Sequence, residues 1–397
     1  MKPENLKELV KEDRLIDNFL RLAAMNSPTL HEGEIADLLE SDLRKLGFSV
    51  VRDNAGMETG GETGNIIATK KGSIPGAVPI LLSAHMDTVV PTDGWGYRIE
   101  DGVIHSNGNT ILGADDKAAL ASILEAMRVI EETGMPYGDI QVILSIAEEP
   151  GLMGLKHLDF SLITAKYAFV YDVDEPVGSI ITSAPYHYRI SAKIHGRSAH
   201  AGMNPEDGIS AISIAAKAIT EMKLGRIDEE TTANIGIING GSVVNMVPDI
   251  CNVTGEARSL KIEKLEAQVQ HMHETFANAT RMHGQEFEFD INRWYDGYSL
   301  EESCPVVQMA ARAAEKMGIT SRICSTGGGS DANIFNAKGI PAVALGIGYR
   351  NAHSVKECIA ISELAKSTEF MLAKILVAAD VAKTPDSDTY LAAPYLR

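Results

Sequence analysis

Two residues apart, His85 and Asp87 close the segment Leu81-Leu82-Ser83-Ala84-His85-Met86-Asp87-Thr88. On an extended strand they point the same way, about 6–7 Å apart. An imidazole so placed can bind a metal while the carboxylate accepts its other ring N–H, fixing the tautomer and raising ligand basicity. In Leu112-Gly113-Ala114-Asp115-Asp116-Lys117, two adjacent carboxylates stand in a glycine turn before a helix. A cation would relieve their repulsion, and the N–H groups of the helix start would help. Glu148 and Glu149 follow an apolar run in Ser145-Ile146-Ala147-Glu148-Glu149-Pro150. Like charges side by side invite different roles: one ligates a metal, the other takes a proton from water on it. Asp172 and Asp174 end Tyr171-Asp172-Val173-Asp174, and would share a face if a strand ran through both. His353 follows in Tyr349-Arg350-Asn351-Ala352-His353-Ser354. Each feature alone has an ordinary structural reading, such as a solvated strand end or an aspartate N-cap. Together they form a mixed nitrogen and oxygen donor set suited to zinc, with cobalt or manganese as substitutes, and Asp115 is placed to bridge two ions.

The elements around these residues read as an α/β protein. The spacing of apolar residues predicts helices from Leu9 to Leu22 and over residues 32–46. Strands are expected at residues 65–69, 78–83, 139–146, 167–171 and 341–345, with helices at 117–131, 304–317 and 359–374 and a short one at 154–158. Alternating strands and helices imply a mixed, mainly parallel sheet with helices on its faces. In such sheets ligands gather at the C-terminal strand ends, where the five segments fall. The middle differs: strands at 186–194, 232–238, 251–258 and 285–293 and helices at 207–222 and 261–281 give the order β-α-β-β-α-β. That order predicts a ferredoxin-like domain over residues 186–297, inserted into a discontinuous domain of residues 1–185 and 298–397. The tail from Lys383 is expected to be loose.

Composition narrows the function classes. The chain has 397 residues, 45% of them hydrophobic, long enough to bury a core without disulfide or metal staples. Its 36 basic and 54 acidic residues leave a charge of 36 − 54 = −18, which repels a phosphate backbone and an anionic membrane surface. The four cysteines, Cys251, Cys304, Cys324 and Cys358, form no close pair. The start MKPENLKELVKEDRLIDNFL has no apolar signal core, and no 18-residue apolar run occurs, so a cytoplasmic location is expected. No G-x-S-x-G elbow is present, and no G-x-G-x-x-G follows an early strand.

The segments SAHMDTV, GADDKAA, AEEPGLMG, GRSAHAGMNPEDG, NMVPD, STGGGSDANIF and NAHS resemble the M20 metallopeptidase family, most closely its peptidase T branch. The likeness runs from about Asp17 to Lys374. It implies a dizinc catalytic domain with an inserted lid that often dimerises. By that resemblance, His85 and Asp172 (or Asp174) bind one zinc, Glu149 and His353 the other, and Asp115 bridges. Glu148 is the general base and Asp87 orients His85. His200 holds the carbonyl oxygen, in dimers from the partner subunit. Asn245 and Arg258 are candidates for substrate contact from the lid. Gly328, Gly329 and Ser330, before an apolar helix, and Arg350 are candidates for a substrate carboxylate. The implied activity is release of the N-terminal residue from tripeptides. Related chemistries in the family are carboxypeptidase, dipeptidase and N-acyl amino acid amidohydrolase; a non-catalytic metal-binding relative is the different-class alternative.

Overall fold

The computed structural model describes residues 6–381, and the tail from Lys383 lies outside them. The described residues form two compact units. One takes the chain through Thr182 with Ser299–Ser325 and the part beginning at Ser330; the other is Ser183–Tyr298 with Thr326–Gly329.

The first unit is an α/β structure built on a mixed sheet. Its centre consists of Ile140–Ser145, Ile80–His85, Tyr167–Val173 and Ala342–Gly346, side by side and parallel. These strands are almost wholly buried, which is why they read as apolar runs rather than alternating patterns. Antiparallel pairs join it on both sides: Ile66–Lys70 pairs with Ile140–Ser145 and with Ser49–Arg52, and Ser179–Ala184 pairs with Ala342–Gly346. The sheet is therefore mixed, with a parallel centre. Its parallel strands share one direction, so His85, Ser145 and Asp172 arrive together at one sheet end.

The helix Ala114–Thr133 is buried along nearly its whole length through Ile130. Its alanines allow close packing, and Gly134, at φ 63°, ends it in the left-handed conformation that glycine adopts without strain. A second, four-stranded sheet joins Tyr97–Glu100, Val103–Ser106, Cys358–Ala360 and Tyr349–Arg350. The helix expected from residue 359 begins at Ile361, because Cys358–Ala360 is taken into that sheet.

The second unit is a five-stranded antiparallel sheet with helices Ala211–Glu221 and Ile262–Met282. Numbering its four long strands in chain order, Tyr186–His195, Thr231–Gly240, Ile250–Ser259 and Phe287–Tyr295, their spatial order is 2-3-1-4, and the two-residue strand Gly225–Arg226 caps the first edge. Ile190, Ala192, Ile194, Cys251 and Val253 join Ile214, Ala218, Leu265, Met272 and Phe276 in one core. The helix expected from residue 207 starts at Ala211, since Ser210 accepts the Ser213 N–H and caps it.

Candidate metal centre

Seven candidate residues converge at the sheet end of the first unit. His85 is the last residue of its strand and is 2% exposed. Its Nε2 lies 3.1 Å from Asp115 Oδ1 and 3.8 Å from Asp172 Oδ1. Its Nδ1 faces Asp87, at 3.0 Å from the carbonyl oxygen and 3.3 Å from Oδ1. From the other side, His353 Nε2 lies 3.2 Å from Asp115 Oδ2 and 3.1 Å from Glu149 Oε2. The two oxygens of Asp115 thus face two different imidazoles.

The backbone around these groups is set by local chemistry. Asp115 and Asp116 open the helix but leave helical geometry, with φ −80°, ψ 104° and φ −117°, ψ 22°, and the peptide between them is cis. Their carboxylates part company: Asp115 faces the imidazoles, while Asp116 Oδ2 accepts the His85 N–H at 3.1 Å. The N–H groups of Leu112, Gly113 and Asp115 are not left for a ligand, as expected of a helix start, because all three donate to Glu357. After Ser145 four consecutive N–H groups find side-chain acceptors. Ile146 donates to Asn65, Ala147 to Glu32, and Glu148 and Glu149 to the two oxygens of Asp87. Held this way, Ala147 takes φ 45°, and the two glutamates point to different places. Glu149 meets His353, and Glu148 joins His85 and Asp172. Asp172 sits on the strand with its side chain 12% exposed and accepts from Tyr349 Oη at 3.3 Å. The strand stops at Val173, so Asp174 does not share its face and is exposed.

Burial and close carboxylates govern the electrostatics of the site. Burial, reinforced by neighbouring carboxylates, pushes Glu148, Glu149 and Asp172 above their usual range. Burial opposes the His85 imidazolium, but its bonds to Asp115 and Asp87 outweigh that and raise it. His353 is raised to about 10 by Asp115 and Glu149. Asp115 is pulled down by both histidines against the opposing effect of burial. Asp331, buried beside Ser145, is raised to about 6 by burial. Glu149 Oε1 is buried with no hydrogen-bond partner. Two groups meet the geometry for an ion: His85, Asp115 and Glu149, and His85, Glu148 and Asp172. Carboxylates with unspent lone pairs beside two imidazoles fit a pair of zinc ions. This is a two-metal centre.

The model of peptidase family M20/M25/M40 matches residues 81–376. The chain belongs to this family. It is a metal-dependent peptidase, and its relatives span its length. The chain is 45% identical to the uncharacterised protein YqjE of Bacillus subtilis, over 94% of this chain and all of that one. Among solved structures, it is similar to aminopeptidase PepT from Bacillus cereus, at 45% identity and TM-score 0.85, covering 94% of this chain and 100% of that one. It is also similar to a tripeptidase from Staphylococcus aureus, at 39% identity and TM-score 0.89, covering 94% and 99%.

The remaining candidates of this M20 chain fall outside the cluster. In the second unit His200 is exposed, and its Nδ1 accepts from the N–H groups of Gly202 and Met203 at 3.1 Å each. Two donors on Nδ1 leave the ring proton on Nε2. A bridge between His200 and Met246 sets Asn245 alongside, and the Asn245 carbonyl accepts the Ala201 N–H. Arg258 binds Glu256 at 3.0 Å and reaches Tyr295 Oη at 3.4 Å. Gly329 packs so tightly on Tyr295 that a Cβ would stand 2.3 Å from its ring. The N–H of Gly328 is taken by Thr326 Oγ1, and Ser330 spends its hydroxyl capping the helix Asp331–Ala337. In the first unit Arg350 is exposed. Sequence reasoning missed Glu32, Asn65, Thr29, Tyr349 and Glu357, which hold the carriers of the cluster. Thr29, for one, donates to Asp87 at 2.7 Å. Only the short distance from His353 to Glu357 was a signal in the sequence.

Proposed function

We propose that this M20 chain is a cocatalytic dizinc aminopeptidase that releases the N-terminal residue of short peptides, tripeptides above all. The observation that carries the reading is Asp115, whose two carboxylate oxygens each face a different imidazole beside the Glu148-Glu149 pair. The identities to proteins described as an aminopeptidase and a tripeptidase support the substrate class.

In this reading His85 and Asp172 would hold one ion, Glu149 and His353 the other, and Asp115 would serve both. The chemistry supplied by a bound metal pair is Lewis acidity toward the scissile carbonyl and acidification of the attacking water. Asp87 accepts from His85 Nδ1 and keeps Nε2 turned to the cluster. Glu148 takes the proton from the attacking water and hands it to the leaving amine. His200, with its proton on Nε2, donates to the carbonyl oxygen as negative charge develops there. Asn245 and Arg258 contact the rest of the peptide, and Gly328, Gly329, Ser330 and Arg350 serve its carboxylate end.

The domain assignment is a catalytic domain over residues 1–185 and 298–397 and a ferredoxin-like lid over residues 186–297, which also serves as the surface of a homodimer. The strand order 2-3-1-4 supports the fold of the lid. A cytoplasmic location is supported by four free cysteines. Among the described residues, no helix is long and apolar enough to cross a membrane.

The test is hydrolysis by zinc- or cobalt-loaded enzyme of a free tripeptide, its N-acetyl form and its C-amidated form. Cleavage confined to free-amine peptides and abolished by Glu148→Gln is expected. Preference for the N-acetyl form would move the activity to carboxypeptidase or acylase. Silence on all three with two metals bound would leave a narrower substrate or a non-catalytic relative.

A further inference from the structure

We infer that Glu357 is a positioning residue for the metal centre: its carboxylate clamps the turn that presents Asp115 to the segment that carries His353. The inference rests on the reading of Asp115 and His353 as ligands.

Glu357 is fully buried. Its Oε2 accepts the N–H groups of Leu112 and Gly113 at 2.8 Å each, and its Oε1 accepts the N–H of Asp115 at 2.9 Å. Three backbone donors from one turn therefore converge on one carboxylate 242 residues away in sequence. Charge-assisted bonds of this kind are the strong ones. The turn's other fixings are the Trp95 Nε1–H on the Leu112 carbonyl at 2.9 Å, the Lys117 N–H on the Gly113 carbonyl at 3.3 Å and the His85 N–H on Asp116, and none of them holds the N–H groups of Leu112, Gly113 and Asp115. Asp115 stands outside helical geometry, and Gly113 takes φ 77°. The clamp itself is anchored. The Glu357 carbonyl accepts the Ser106 N–H at 3.1 Å, its N–H reaches Ser354 O at 3.0 Å, and Cys358 pairs with His105 in the four-stranded sheet.

Four residues before Glu357, His353 meets Asp115 Oδ2 from a backbone at φ 60°. One short segment thus supplies a ligand and holds the turn of the bridging ligand. Aspartate is one methylene too short to reach both ends of the turn. Glutamine matches the size but offers an amide donor where an acceptor is needed. A carboxylate of this length meets the requirement.

The experiment pairs Glu357→Gln and Glu357→Asp with Asp115→Asn. Zinc and cobalt affinities are read by chelator competition, the cobalt absorption spectrum reports coordination, and circular dichroism reports folding. Exchange rates of the Leu112, Gly113 and Asp115 amides are measured in the metal-free wild type. The expected result is protection of those three amides and a loss of about 10- to 100-fold in metal affinity in the Glu357 variants, with an altered cobalt spectrum. Folded Glu357 variants with wild-type affinity and spectrum would overturn the inference. So would free exchange of the three amides in the wild type, a readout that stands even where a variant fails to fold. If Asp115→Asn keeps wild-type affinity, the ligand reading fails and takes the metal half of the inference with it, while amide exchange still judges the clamp.

Discussion

The sheet end of the first unit and the open face of the second unit's sheet handle charge in opposite ways. On the second unit, anions have basic partners: Glu256 meets Arg258 and His187 at 3.0 Å each, Glu288 meets Lys193 and His195, and Lys264 meets Asp228 and Glu230. At the first unit's sheet end, carboxylates crowd two imidazoles in buried surroundings, and burial drives several of them toward protonation. Backbone strain divides the same way. Among the described residues, those of the second unit with positive φ are glycines, whereas Ala147, Leu152, Asn351 and His353 take it around the metal centre. Unspent charge and backbone strain coincide where the fold serves chemistry rather than its own stability.

The largest test of that contrast is Glu148→Gln. If the Glu148 carboxylate moves protons, kcat falls by about 10²–10⁴-fold while both metals stay bound, read by steady-state kinetics and metal analysis. Loss of metal instead would make Glu148 a ligand of the group it forms with His85 and Asp172. Next comes the aspartate pair. Asp172→Asn is expected to weaken metal binding by at least about 100-fold, more than loss of an outer partner does. Asp174→Asn should leave it unchanged, because Asp174 lies beyond the strand and is exposed. Equal losses from both would undo the geometric distinction. A smaller effect concerns pH. Glu148, Glu149 and Asp172 are raised by burial, His85 by Asp115 and Asp87 over the opposing effect of burial, and His353 by Asp115. Ligation needs the deprotonated forms, so protons leave as metal enters and affinity rises with pH until His353, the one raised to about 10, has lost its proton. Calorimetry in buffers of different ionisation enthalpy measures that release; an absence of released protons would mean the cluster is already anionic without metal.

The centre was legible because each carrier was short and local. His85, Asp115, Glu148, Glu149, Asp172 and His353 follow apolar runs or turns, and parallel strands must deliver such ends together. What stayed hidden depends on long-range hydrogen bonds. Nothing near Glu32 says that it holds Ala147, and the nearness of Glu357 to His353 does not say that it holds Leu112. The choice between Asp172 and Asp174 hung on where a strand stops, which neighbours decide. Some of the fold was missed despite a signal. Asp101-Gly102, both at positive φ, joins Tyr97–Glu100 to Val103–Ser106, and an Asp-Gly pair is a standard hairpin turn. The antiparallel pairs of the sheet were hidden for a different reason: a buried antiparallel flank is as apolar as a parallel centre, so Ile66–Lys70 gives no sign of its direction.

The smallest effect probes the satisfied side of the contrast. Glu256 is held at about 2, chiefly by His187, with Arg258 assisting against the cost of burial. Its folded value lies below the ordinary 4.5, so its stabilising contribution is present above pH 4.5 and is lost as pH falls through about 2. With its side chain 36% exposed, solvent screens the pair, and its worth is about 1 kcal/mol or less. Glu256→Gln should therefore lower stability slightly at neutral pH, with a difference that vanishes near pH 2. The chain has two tryptophans, and Trp294 stacks edge-on against His187 at 5.0 Å. In a Trp95→Phe background its fluorescence follows the second unit alone. Denaturant midpoints at neutral and acid pH then give the answer without interference from the metal centre. A difference that persists at pH 2 would mean that packing at Glu256, not charge pairing, supplies the stability.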